Sequence, residues 1–81
     1  MKYVLRFRPE VAGDLEQAAK WYDDRRIGLG GEFLEECRAA LDRILDRPEQ
    51  GTIGAEGVRS VRLRRFPYVV HFRLEQPTVV V

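Results

Sequence analysis

The alternation of apolar and polar residues predicts one strand followed by two helices in the N-terminal half of the chain. Residues 3–8 alternate with a period of two, which is typical of a half-buried strand. Apolar residues then recur at helical spacing after Pro9, and again from about Glu32 to Asp46, where Pro48 ends the pattern. The glycine-rich residues 28–31 are predicted to form the turn between the helices. Helices joined by so short a turn should pack antiparallel as a hairpin.

Three further strands are predicted after a loop at residues 49–57. Residues 58–66 and 68–74 alternate, and residues 78–81 form a short apolar run after a tight reversal. The order predicts an α+β domain, β-α-α-β-β-β, in which the helix hairpin packs on one face of a small, mainly antiparallel four-stranded sheet. We expect residues 1–81 to form this single domain.

Composition narrows the class of protein. The chain is 44% hydrophobic and 33% charged, which indicates a soluble globular protein. It has no apolar run of the roughly 18–20 residues that span a membrane, and the early charges oppose a secretory signal, so we expect a cytoplasmic protein without a membrane partner. Cys37 is the only cysteine, and we expect it to be a small buried hydrophobe. With one histidine besides, the sequence predicts neither a metal site nor a cofactor.

Charge is sorted along the chain, although the formal net charge is only +1. Residues 9–56 contain 6 Lys/Arg and 12 Asp/Glu, whereas residues 1–8 and 57–81 together contain 8 Lys/Arg and the single Glu75. Because the local field steers association more than the net charge does, this distribution favours an anionic partner for the basic part.

The predicted strands place much of this basic charge on one face. If Leu5, Leu63 and Phe72 meet the helices, the opposite sheet face collects a set of cationic or titratable side chains: Arg6, Arg8, Arg62, Arg64, His71 and Arg73. This face could bind an anionic surface, or it could be a solvated strand face whose charges discourage edge pairing. His71 is also chemically able to act as an acid or base near neutral pH.

Several short features occur in order along nearly the whole chain. They are Phe7-Arg8-Pro9-Glu10-Val11, Asp14-Leu15, Trp21-Tyr22, Gly28-Leu29-Gly30, Phe33-Leu34, Ile44-Leu45 with Pro48, and Arg64-Arg65-Phe66-Pro67-Tyr68. In this combination the chain resembles the ParE/RelE superfamily of toxins from type II toxin–antitoxin systems. It resembles the ParE-like, plasmid-stabilisation branch more closely than RelE proper.

The resemblance implies a growth-inhibiting toxin held in a hetero-oligomer by a cognate antitoxin. ParE-like members inhibit DNA gyrase by binding, and so need no catalytic set. On this basis the target-binding basic face would consist of Arg6, Arg8, Arg62, Arg64 and Arg73. Trp21 and Tyr22 would be antitoxin-binding residues, although packing within the helix hairpin is the simpler interpretation of both.

The same superfamily offers an alternative. RelE-like members resemble ribosome-dependent endonucleases that cut mRNA, and their basic residues stabilise phosphate charge during attack by a 2′-hydroxyl. Here that set would be Arg62, Arg64, His71 and Arg73. Such members usually have an arginine near the position of Tyr68 and a Tyr or His-Tyr element after the last strand, which this sequence lacks up to Val81. These differences favour gyrase over the ribosome as the target, and a non-toxic member that only binds antitoxin is the third possibility.

Overall fold

The chain forms an edge strand and then a helix hairpin. The computed structural model describes residues 3–50 and 52–81; Lys2 of the basic N-terminal segment and Gly51 of the predicted loop therefore lie outside it. Strand β1 is Val4–Arg6, helix α1 is Pro9–Arg25 and helix α2 is Leu29–Asp46. Helix α1 begins with a proline, which lacks the N–H group that would be unpaired there, and has an acidic side chain in its first turn, near the positive end of the helix dipole.

Helix α2 begins at Leu29, so the prediction of a glycine turn over residues 28–31 is wrong beyond Gly28. Of residues 28–31, only Gly28 has a left-handed backbone, with φ of +90°. Gly30 is buried because the two helices approach closely there, and a Cβ atom at this position would collide with the carbonyl oxygen of Ala19 and the carboxyl group of Asp23. The Gly30 N–H donates to Asp23 Oδ1 at 2.7 Å, which satisfies one of the free N–H groups at the start of α2.

The sheet contains the predicted strands and one short addition. Its strands after β1 are β2 Thr52–Ile53, β3 Arg59–Arg62, β4 Val69–Glu75 and β5 Thr78–Val80. The spatial order is β1-β5-β4-β3-β2, in which β1 runs parallel to β5 and the other neighbours are antiparallel. The α+β fold with a mainly antiparallel sheet is thereby confirmed, with the two-residue β2 added at one edge.

Strand β3 is shorter than predicted. It ends at Arg62, and residues 64–67 form a bend rather than more strand. Glu36 Oε1 accepts the backbone N–H groups of Arg64 at 3.2 Å and Arg65 at 3.4 Å. This carboxylate on α2 therefore takes donors that a longer ladder would use, and Pro67 has none to offer.

The core lies between the helices and the inner face of the sheet. Leu5, Leu63 and Phe72 all pack into clusters with helix residues, as predicted. The buried residues of the two clusters are Ala18, Tyr22, Phe33, Cys37, Ala40, Ile44, Leu63, Phe66, Phe72 and Val79. Val80 is also buried but belongs to neither cluster. Cys37 is free and buried, and burial raises the pKa of its thiol. It is therefore a packing residue, as the sequence indicated.

Candidate docking surfaces

Strand register brings several predicted basic residues onto the sheet face opposite the helices. In the β1–β5–β4 ladder Arg6 pairs with Val80, which pairs with Arg73. Directly paired residues project to the same side of a sheet, and His71 lies two residues from Arg73 along β4. Arg62 pairs with Val69, which projects to the same side of β4 as His71. We call the surface formed by Arg6, Arg62, His71 and Arg73 the outer basic face.

Arg8 and Arg64 lie outside the strands. Arg8 precedes α1, and its N–H donates to the carbonyl oxygen of Val81 at 3.0 Å. With His71 and Arg73 it lines a depression of about 350 Å³, so it borders the outer basic face at one edge, where Glu10 and Asp14 of α1 line the same depression. Arg64 is in the bend after β3, and the strand position predicted for it is wrong because β3 ends at Arg62.

The outer basic face is a strip rather than a point cluster. Along β4 the strip extends from Val69, which lies opposite Arg62, to Arg73. These two positions are four residues apart, which corresponds to about 14 Å of strand. Arg73 Nη1 donates to the carbonyl oxygen of Glu56 at 2.6 Å, which holds that end of the strip in place. Glu75, at the C-terminal end of β4, projects to the same side of the sheet as Arg73.

His71 has a partner that the sequence analysis missed. Ser60 lies directly opposite on β3, and its Oγ is 2.9 Å from His71 Nδ1. The antiparallel register of β3 and β4 could have revealed this pair, since it also aligns Val61 with Val70. The hydrogen bond fixes the imidazole orientation on the outer basic face.

Arg65 faces the helices instead of the outer basic face. Its Nη1 lies 3.4 Å from Glu32 Oε1 and its Nε lies 3.6 Å from Glu36 Oε2. Exposed pairs of this kind stabilise a fold by about 0–1 kcal/mol. Arg65 therefore provides a matched control for the arginines of the opposite face.

A long groove separates α1 from β4 and the bend before it. Trp21, Tyr22 and Tyr68 line its widest part, a depression of about 610 Å³. Trp21 remains 50% exposed, and the Arg25 guanidinium lies 3.3 Å from its ring centroid. Tyr22 is only 8% exposed because its ring packs against Phe33. Of the two predicted antitoxin-binding residues, Trp21 therefore offers the larger accessible surface.

The groove continues towards the end of β5. An adjoining depression of about 270 Å³ is lined mainly by apolar residues, including Val11, Leu15 and Ala18 of α1. Asp14 borders this depression and both of its neighbours. We call the whole channel the α1–β4 groove.

Comparison with known proteins identifies the family. The sequence model of the family described as "ParE toxin of type II toxin-antitoxin system, parDE" matches residues 5–81. The chain belongs to the ParE toxin family. It is thus a ParE-type toxin of a ParDE toxin–antitoxin system, and the family implies an antitoxin partner. The resemblance drawn from the sequence is confirmed.

A solved structure supports the same fold. The structure described as "Chromosomal ParDE TA system from P. aeruginosa" matches with a TM-score of 0.85 and 18% sequence identity, over 99% of this chain and 90% of that chain. At this identity the likeness is evidence of the shared fold and not of a shared target. None of the curated protein sequences matches this ParE chain.

Two kinds of site are not found in the part of the chain that the structure describes. Residues 3–50 and 52–81 contain no group of three or more His, Cys, Asp or Glu side chains that could hold a metal ion. Neither of the helices among them has the length and apolar character of a membrane span.

Proposed function

We propose that this ParE toxin acts by binding, that DNA gyrase is its target, and that its cognate antitoxin holds it inactive in the cytoplasm. The observation that carries the proposal is the outer basic face, where Arg6, Arg62 and Arg73 share one side of the sheet. A strip of like charge favours rapid encounter with an anionic surface, such as the DNA-bearing region of gyrase. Because this face is opposite the helix hairpin, contact there leaves the core intact.

The position of Tyr68 supports binding over mRNA cleavage. Its ring lies 5.0 Å from that of Phe33 and 6.1 Å from that of Tyr22, in the wall of the α1–β4 groove. An arginine is expected near this position in RelE-like enzymes, yet here an uncharged aromatic ring occupies it. Tyr68 and His71 line the same depression, but Tyr68 brings no positive charge to stabilise a phosphate there.

The α1–β4 groove is the surface that we assign to the antitoxin. It is concave, and Trp21 presents a half-exposed aromatic ring at its wide end. Aromatic side chains of this kind are enriched among residues that dominate binding energy. The toxin in the resulting hetero-oligomer would keep its helix hairpin and sheet unchanged.

One observation favours mRNA cleavage as the second candidate. The Ser60–His71 hydrogen bond orients an imidazole between Arg62 and Arg73 along the strip. In an endonuclease His71 would accept the proton of the attacking 2′-hydroxyl, and the arginines would stabilise charge on the phosphate. Arg64 lies in the bend after β3 and would stabilise the phosphate charge from outside the strand.

A paired assay separates the two functions. Purified toxin should inhibit gyrase supercoiling and leave ribosome-bound mRNA intact, and addition of the antitoxin should restore supercoiling. Arg62→Ala and Arg73→Ala should each weaken inhibition, and more so in low salt, because they remove charge from the outer basic face. Arg65→Ala removes the same charge from the helix side and should inhibit like the parent chain. Codon-positioned mRNA cleavage that is lost in His71→Ala would assign the second function instead. A chain that binds antitoxin tightly but is inactive in both assays would be the non-toxic member.

A further inference from the structure

The arginines of the outer basic face differ from those on the helix side in having no carboxylate partner. On the helix side Arg65 forms an ion pair with Glu32. Among residues 3–50 and 52–81, no carboxylate forms an ion pair with Arg6, Arg62 or Arg73. The hydrogen bond from Arg73 to a backbone carbonyl group leaves its charge uncompensated. The positive charge of the outer basic face is therefore available to an external anion.

The chemistry of this sheet face is typical of a nucleic-acid interface. Its positions on β1, β3, β4 and β5 carry no Phe, Tyr or Trp; Val4 and Val69 are its exposed apolar residues, and Val80 is buried. The centre of a protein interface is usually apolar or aromatic, whereas DNA interfaces are more polar and much more positively charged. Single-stranded nucleic acid is bound largely by stacking on aromatic rings. The face therefore suits duplex DNA better than an acidic protein surface or a single RNA strand.

The spacing of the charges matches a short segment of duplex. Arg62 and Arg73 are separated by about 14 Å along the strip, which is the rise of about four base pairs. Arg6 lies two strands from Arg73, or about 10 Å across the sheet. Ser60, which pairs with His71 between the two ends of the strip, adds a hydroxyl group of the kind that contacts phosphate. The three arginines can therefore reach separate phosphates of one duplex segment.

Acidic residues restrict the contact to this face. Residues 9–56, which include the helix hairpin, contain 12 Asp/Glu against 6 Lys/Arg, so the helix side repels DNA. On the outer side of the sheet, Glu75 follows Arg73 at the end of β4 and limits the strip there. Because the formal net charge is only +1, binding to DNA depends on the local distribution of charge and not on a generally basic surface.

We propose that the outer basic face binds the phosphate backbone of duplex DNA, and that Arg6, Arg62 and Arg73 each contact a phosphate. A sheet face four strands wide is too broad to enter the major groove of B-DNA, which admits a two-stranded ribbon, so the contact does not read bases. On gyrase, the toxin touches the DNA segment that the enzyme holds. That last step rests on the function proposed above, whereas the contact with phosphate does not.

Binding of the purified toxin to DNA in the absence of gyrase tests the proposal. The probe is a fluorescein-labelled duplex of about 20 base pairs, several times the length of the strip, and anisotropy is recorded over a series of salt concentrations. Three phosphate contacts predict a slope of about −3 for the logarithm of the association constant against the logarithm of the salt concentration. A duplex of unrelated sequence should bind with equal affinity. No binding at low salt, or a strong preference for one sequence, would overturn the proposal.

Two matched pairs of variants locate the contact. Arg62→Ala should weaken DNA binding about three- to tenfold and reduce the slope by about 1, whereas Arg65→Ala removes the same charge from the helix side and should change both much less. Glu75→Gln should strengthen DNA binding about twofold or more, because it removes a negative charge beside Arg73. Glu35→Gln removes the same charge from the exposed side of α2 and should have a smaller effect. Circular dichroism verifies that the variants fold, and equal effects within both pairs would overturn the assignment to this face.

Competition identifies the anion. Polyglutamate and single-stranded RNA of the same length should each compete about tenfold less well than unlabelled duplex, because duplex DNA has the higher charge density and releases more counterions. Equal or better competition by polyglutamate would make an acidic protein surface the partner. Equal or better competition by RNA would favour the mRNA alternative. Either result overturns the proposal.

The outcomes also separate this inference from the function on which it rests. Gyrase inhibition by a toxin that does not bind DNA would refute the phosphate contact and leave the gyrase target intact. DNA binding that Arg62→Ala weakens, without inhibition of gyrase by the parent toxin, would support the phosphate contact and refute the gyrase target.

Discussion

The helix crossing at Gly30 predicts opposite effects for two chemically identical substitutions. Replacement of a helical glycine by alanine ordinarily stabilises a protein by about 0.5–1 kcal/mol. At Gly30 the new methyl group would meet the carbonyl oxygen of Ala19, which cannot move without shifting α1. It would also meet the carboxyl group of Asp23, whose rotation away would weaken the hydrogen bond from the Gly30 N–H. At Gly13, in the second turn of α1, the same methyl group meets no heavy atom within 4 Å apart from its chain neighbours and the backbone of its own helix.

The sizes of the opposing effects decide whether Gly30→Ala stabilises or destabilises the toxin. Overpacking of this kind costs about 1–3 kcal/mol, and weakening of the 2.7 Å hydrogen bond from Gly30 N–H to Asp23 adds roughly 1 kcal/mol. After subtraction of the helix-propensity gain, Gly30→Ala should destabilise the toxin by about 1–3 kcal/mol. A chain of 81 residues has a total stability of roughly 4–12 kcal/mol, so the variant should still fold.

Thermal unfolding followed by circular dichroism measures both effects. At about 4–8 °C per kcal/mol for a domain of this size, Gly30→Ala should lower Tm by roughly 5–20 °C. Gly13→Ala should raise Tm by roughly 2–8 °C. A Gly30→Ala variant as stable as Gly13→Ala would refute the close helix crossing, and with it the reason given for the early start of α2.

Three further outcomes follow from side-chain contacts. The hydroxyl group of Tyr3 donates to Glu49 Oε2 at 2.7 Å and lowers the pKa of that carboxyl group. The stability that this hydrogen bond contributes is present above the unfolded-state pKa of Glu49 and is lost as pH falls through its folded-state pKa. Tyr3→Phe should therefore lower Tm at neutral pH and have little effect in strong acid, and an equal drop at both would contradict this. Cys37 is buried with a raised pKa, so an aromatic disulfide reagent should label it at the rate of unfolding, and rapid labelling of the native toxin would be inconsistent with its packing. Arg65→Ala should lower the free energy of unfolding in urea by no more than about 1 kcal/mol. Arg64→Ala keeps the hydrogen bond from its backbone N–H to Glu36 and should lower it still less.

Periodicity was sufficient to predict the order of the helices and main strands. It correctly assigned Leu5, Leu63 and Phe72 to the inner face, because side chains alternate across a strand whatever their tertiary setting. It was wrong about the start of α2 and the end of β3, since both depend on contacts between elements. Gly30 is helical where α1 crosses it, and the bend after β3 donates backbone hydrogen bonds to a distant carboxylate on α2.

The candidate surfaces were predictable to a lesser extent. Alternation placed Arg62, His71 and Arg73 on a common face without knowledge of the strand order. The Ser60 partner of His71 required the register of β3 against β4. Asp14 became notable only once α1 was packed beside β4.

Gyrase supercoiling in the presence of the purified toxin tests the central claim most directly. Relaxed plasmid, gyrase and ATP are combined with the parent toxin, Arg62→Ala, Arg73→Ala or Arg65→Ala, each with and without antitoxin. We expect the parent and Arg65→Ala to inhibit supercoiling, the two outer-face variants to inhibit less, and antitoxin to restore supercoiling. Unimpaired supercoiling at toxin concentrations that saturate the antitoxin, or equal inhibition by all four chains, would contradict binding through the outer basic face.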